Sequence, residues 1–196
     1  MRMAGLNVSL LLGRSLAPAQ RDAFVAEFER PGGSTYDEHP SDSSFRWFTK
    51  NRQAYVALFP RRIEIATGPV GWSTAPLRTR YVKDPFDEFM QMTAREHVRV
   101  AAVDVRVLMT SDEGACPFPM PAGVPKRANS HLGWSWKHGT KIHSFDVEWV
   151  RAHRHVVYTT SDDGPAPADI SRLVTTHVAR CQRLACAFDA GRLADA

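Results

Sequence analysis

Residues 45–68 read FRWFTKNRQAYVALFPRRIEIATG, and this stretch decides the fold class. Phe45 to Thr49 and Ala54 to Phe59 carry the aromatic and aliphatic side chains that suit a pleated surface, and Lys50-Asn51-Arg52 between them makes a polar hairpin turn. Pro60 has no N–H to give to a ladder, so the second strand ends there. Arg62 to Thr67 follows, with Ile63 and Ile65 alternating against Arg62, Glu64 and Ala66 as in a strand with one face toward solvent. Three such runs in close succession form a meander of antiparallel strands.

Toward the N-terminus, Leu6, Val8, Leu10 and Leu12 alternate with Asn7, Ser9 and Gly13, which predicts a first strand. A competing reading treats Arg2, the Leu6–Leu12 run and Ser15-Leu16-Ala17 as a targeting segment. Asn7, Ser9 and Arg14 dilute that apolar run, so the strand is preferred. Pro18 suits the first turn of a helix that runs to about Glu29, with Phe24, Val25 and Phe28 on its apolar face. Pro31-Gly32-Gly33 stops it, and residues 34–44 form a polar connection.

Toward the C-terminus a short strand is expected over Leu77 to Val82. Asp84 then reads as an N-cap with Pro85 at the first helical position, and that helix reaches about Glu96. Val98 to Thr110 is the longest strand, with Val103, Val105, Val107 and Met109 on one face. Residues 111–130 hold four prolines and two glycines, a loop longer than a compact domain ordinarily keeps without a use. Two or three more strands are expected, over Leu132 to Lys137, Phe145 to Val150 and His155 to Thr160. A final helix from about Ala168 to Phe188 carries an apolar stripe of Ile170, Leu173, Val174, Val178, Cys181, Leu184, Ala185 and Phe188. Helices at the beginning, middle and end of a strand-rich chain imply an α+β domain over residues 1–196: a largely antiparallel sheet with about three helices, the long C-terminal one packed on it. The 111–130 loop either decorates that domain or separates two lobes.

Composition narrows the setting. No apolar run approaches the ~20 residues of a membrane-spanning helix. Three cysteines, Cys116, Cys181 and Cys186, make a disulfide framework a poor reading and a reducing, cytoplasmic compartment a better one. The abundance of Ala, Arg, Val and Asp suggests a GC-rich bacterial source. The net charge of +4 has one origin: no acid stands between Glu113 and Asp146, where Lys126, Arg127, Lys137 and Lys141 lie.

That segment is also the leading candidate site. Lys126, Arg127, Trp134, Trp136, Lys137, His138, Lys141 and His143 interleave cations with planar rings, a composition suited to a nucleic acid or another polyanion. Trp134 and Trp136 share a strand face by their spacing. The plainer reading makes it an amphipathic strand, tryptophans inward and Lys137 outward. Elsewhere His177 and Cys181, four apart on a helix, have metal-gripping spacing, but they fall on the apolar stripe and nothing completes a tetrahedral set with Cys186. His153, Arg154 and His155 read as a hairpin tip near Asp146 and Glu148. The acidic clusters Asp37-Glu38-His39-Asp42 and Asp162-Asp163-Asp169 lack calcium-loop spacing. Trp47, Trp72 and Trp149 complete a set of five tryptophans that suits interface anchoring.

No local catalytic, phosphate-loop or cofactor motif is present. The sequence therefore favours a non-enzymatic protein that binds a protein partner, of immunity, antitoxin or accessory type. A nucleic-acid or polyanion-binding module is the alternative. An enzyme with a non-local site, built on His138, His143, His153 or His155 with a carboxylate, is the third reading.

Overall fold

Alternation along residues 2–12 produces the strand about which the molecule is organised. In the computed structural model, which describes residues 2–29, 36–38, 45–49, 54–67, 80–111, 130–150, 153–162 and 170–192, Leu6, Val8, Leu10 and Leu12 are all buried on one side of β1 (Arg2–Leu12). The described chain then runs through α1 (Pro18–Glu29), β2 (Tyr36–Glu38), β3 (Phe45–Thr49), β4 (Ala54–Phe59), β5 (Arg62–Thr67) and α2 (Arg80–Arg95). It continues with β6 (Val100–Ser111), β7 (Ser130–His138), β8 (Lys141–Val150), β9 (His153–Asp162) and α3 (Ile170–Asp189). These described strands form one sheet of nine in the order β2-β3-β4-β5-β1-β6-β9-β8-β7, antiparallel at every pairing.

The architecture is α+β, and the three described helices share one face of the sheet. Phe24 of α1 stacks on Phe89 of α2 at 6.0 Å between ring centroids. Helix α2 lies over β4 and β5, α3 lies over β6 and β9, and the two helices touch. Cross-strand register explains the core: Val8 sits between Ile65 and Val105, and Leu10 between Ile63 and Val103. Each is nearly inaccessible, and truncating any one to alanine costs about 2–5 kcal/mol.

Three sequence expectations are revised. The strand over Leu77 to Val82 is absent where it is described, because Arg80 to Val82 form the first turn of α2; residues 77–79 lie outside the described residues. Asp84 is accordingly inside the helix and not its cap. Pro85, at the sixth helical position, removes one N–H near the helix start, a local loss that burial of Pro85 and Phe86 and the Lys83–Asp87 ion pair offset. Residues His153, Arg154 and His155 open β9 and are not a turn: His153 pairs with Val150 and His155 with Glu148.

Both well-described helix ends show why they stop. His97 takes a left-handed φ of 51°, its N–H bonds the Ala94 carbonyl at 3.3 Å, and the Val98 N–H bonds that of Thr93 at 2.8 Å. Gly191 (φ 67°) repeats the motif after α3, with bonds to Phe188 and Ala187. Between β7 and β8 the chain reverses through Gly139-Thr140, and Gly139 supplies the positive φ of 60° that a two-residue hairpin needs. The strands thereby reach further toward each other than the sequence suggests, and Lys141 to Ser144 join β8.

Candidate functional site

Period-two alternation in β7 and β8 puts Trp134, Trp136 and His138 on the helix-covered face, beside Phe145, His143 and Lys141. Tyr158, Thr160 and Asp162 of β9 come next in the same register. Helix α3 crosses above them, and two adjoining clusters result.

The first is aromatic. Phe188 meets Trp134 edge-on at 5.8 Å, with Phe145 at 6.4 Å and Trp149 at 6.2 Å from it. Trp134 also packs on Phe145 at 6.0 Å, yet it stays 39% exposed. The Arg154 guanidinium, paired with Asp189, ties the end of α3 to β9 beside this cluster.

The second is polar and mostly buried. Trp136 stacks on His143 at 5.3 Å, and His143 lies nearly parallel to Tyr158 at 6.1 Å. The Arg180 guanidinium of α3 sits 6.0 Å from the Trp136 ring centre and 5.9 Å from that of Tyr158. His143 Nδ1 shares a 2.9 Å hydrogen bond with the Tyr158 hydroxyl, while its Nε2 is buried with no hydrogen-bond partner. Deeper in, His177 Nδ1 donates to the Leu173 carbonyl at 2.7 Å, because a carbonyl can only accept. In neutral His177 the Nε2 then accepts from the Thr160 hydroxyl.

Desolvation sets the charge state of this interior. Burial holds His143 below the ordinary imidazole value, and the neighbouring basic side chains, Arg180 foremost, push the same way. Burial also lowers His177, partly opposed by its bond to Leu173. Tyr158 and Cys181 are both pushed up to about 12 by burial. At neutral pH the column is therefore uncharged. It offers no thiolate or phenolate, and its histidine ring lies against Trp136 and Tyr158.

The structure divides the predicted site residues. Trp134, Trp136, His138, Lys141 and His143 share one face, whereas Lys137 is exposed on the opposite one. Lys141 is paired with Asp162 at 2.9 Å, and Asp162 also accepts from Thr140 at 3.3 Å. Lys126 and Arg127, like the rest of 112–129, lie outside the described residues. So do Cys116, Trp72, His39, Asp42, Asp163 and Asp169. Sequence reasoning missed Tyr158, Thr160 and Arg180, which join the site only through strand register and the docking of α3. His177 and Cys181 are both buried, with His177 held by Thr160 and Leu173.

On the other face His131 Nε2 lies 3.1 Å from Asp146 Oδ1. Gly133 makes room for that pair, since a Cβ there would come within 2.5 Å of the same oxygen. Glu64 accepts from Asn7 at 2.6 Å and Tyr55 at 2.7 Å, and meets Arg62 at 3.3 Å. Among the described residues no three His, Cys, Asp or Glu side chains converge on a metal position, and no helix is long and apolar enough to cross a membrane.

Comparison with known protein families finds none that matches this chain, and no curated protein matches it.

Proposed function

We propose that the protein acts without catalysis, by associating with a protein partner through the β7 surface around Trp134. The supporting observation is the state of that side chain. Phe145 and Phe188 hold its ring on two sides, yet 39% of it remains exposed on a strand that has a described neighbour on one edge only. A rigid, partly exposed tryptophan with an apolar floor has the character of an interface anchor, because little conformational entropy is lost when a partner covers it. Among the described residues the other large exposed apolar side chain, Ile142, is on the opposite face of the same hairpin and serves as an internal control.

The test is capture from a native lysate with and without nuclease, comparing the parent chain with Trp134→Ser and Ile142→Ser. One stoichiometric, nuclease-resistant protein retained by Ile142→Ser and lost by Trp134→Ser is expected. Truncating an anchor of this kind costs ~2 kcal/mol or more, a loss of roughly 30-fold in affinity. Equal retention by both variants would remove Trp134 from the account. A second reading, binding of a single-stranded nucleic acid or another polyanion, draws on the placement of His138, Lys141 and Arg180 beside Trp136. Heterogeneous nucleic acid released by salt would favour it.

A further inference from the structure

Among the described residues, strand β7 stands at one end of the sheet and pairs with β8 alone. Six of the eight residues His131 to His138 are exposed, and the other two, Leu132 and Trp136, are half-buried. Its nine residues have no described strand on their other edge, which carries alternating N–H and C=O groups, the template onto which an extended chain can add.

Charge says which chain would add. The strand SHLGWSWKH contains no carboxylate. Its one lysine, Lys137, is exposed on the open face, where Asp146 also meets His131; on the helix side His138 is exposed and stands in register with Lys141, which Asp162 answers. Arg180 has no carboxylate partner among the described residues and rests against aromatic rings instead. A second copy of β7 would bring no carboxylate to Arg180. A phosphodiester backbone would offer acceptors only and leave the edge carbonyls unmatched.

We infer that the partner contacts β7 as an extended acidic segment, adding one strand to the sheet with an apolar side chain against Trp134 and a carboxylate toward His138 and Arg180. The inference rests on the protein-partner reading and narrows it to one mode and one charge. An added strand lies about 4.8 Å beyond β7. Its side chains alternate as those of β7 do, so positions two apart fall beside Trp134 and beside Trp136, where the Arg180 guanidinium is 6.0 Å from the ring centre.

The probes are nine-residue peptides in which Val and Glu alternate along one strand face with Ser between them (Val-Ser-Glu-Ser repeated), the same with Lys for Glu, the Val–Glu peptide N-methylated at every second residue, and a thymidine oligonucleotide. Binding is read by fluorescence anisotropy and by amide hydrogen exchange in β7. The Val–Glu peptide is expected to bind and to slow exchange of β7 amides. N-methylation, Arg180→Glu and His138→Glu should each weaken it roughly tenfold or more. Arg180→Glu should shift preference toward the Lys peptide. The exposed His138 provides a variant that does not disturb the ring cluster. Equal binding of the two charged peptides, no effect of N-methylation, or unchanged β7 exchange would overturn the inference. If lysate capture still depends on Trp134 while no peptide discriminates, the acidic strand fails and the protein-partner reading stands. If only the oligonucleotide binds and no protein is captured, both fall.

Discussion

Replacing Tyr158 with phenylalanine removes one oxygen from the interior, and its effect can be worked out from what that oxygen touches. Tyr158 is 1% exposed and its hydroxyl meets His143 Nδ1 at 2.9 Å; His143 is 3% exposed and its Nε2 is already without a partner. In Tyr158→Phe both imidazole nitrogens are buried and unmatched, a penalty of about 1–3 kcal/mol. For a domain of this length ~1 kcal/mol corresponds to roughly 2–4 °C in Tm, so about 2 kcal/mol lowers Tm by roughly 4–8 °C. His143→Phe alone strands the tyrosine hydroxyl and costs a similar amount. The double variant removes all three polar atoms and keeps three stacked rings, so its stability should return to the parent value or exceed it. Urea unfolding followed by tryptophan fluorescence is the assay, and Trp136, stacked on His143, reports locally. Additive losses, with the double variant least stable, would refute the argument that the polar pair is held by its mutual bond.

The buried histidines also set a pH dependence. Both His143 and His177 are lowered from their ordinary value, so below pH ~6.5 the unfolded chain takes up protons that the folded chain refuses. Stability is full above that pH and falls as pH drops toward the folded values, by at most ~1.4 kcal/mol per unit for each histidine; the slope should shrink in the double variant, and a profile flat from pH 7.5 to 5.5 would contradict it. In a Cys116→Ser background one thiol, the exposed Cys186, should react readily with a disulfide reagent, while Cys181, buried and pushed up to about 12, should react only as fast as the chain opens. Two rapidly reacting thiols would show that α3 does not stay docked. His97→Gly should raise Tm by roughly 2–4 °C, because glycine adopts the left-handed conformation at the end of α2 without about 1 kcal/mol of strain; a lowered Tm would mean that the His97 side chain stabilises the end of α2.

Local pattern carried most of the elements. The leucine alternation of β1, the 45–68 meander, the valine run of β6 and the stripe of α3 all derive from periodicities that tertiary packing reinforced. Helix α2 starts five residues before the expected place, at Arg80, because Asp84-Pro85 imitates a cap and first-turn proline more strongly than Thr79 before Arg80 signals the real start. The hairpin at Gly139-Thr140 is not legible because Lys141, His143 and Ser144 leave Ile142 as the only apolar residue of that stretch, and the stretch reads as a strand only once His143 is seen beneath Trp136. The site was half legible. Spacing alone put Trp134 and Trp136 on one face and Lys137 on the other. That face became a cluster only through Tyr158 and Arg180, each more than 20 residues further along, and no local rule connects those positions to Trp136.

The central place of β1 has a consequence for how the chain reaches its native state. Leu6 must find Thr67 on one side and Val107 on the other, so the ladder that joins the two halves of the sheet spans about a hundred residues of chain. Closing so long a loop is entropically slow compared with zipping the β7–β8–β9 hairpins, whose contacts are local. During synthesis the β1 segment is made before the other described strands and acquires its second neighbour only when β6 has been made. Until then its leucines are the aggregation-prone surface of the nascent chain, covered on one edge by β5 and waiting on the other.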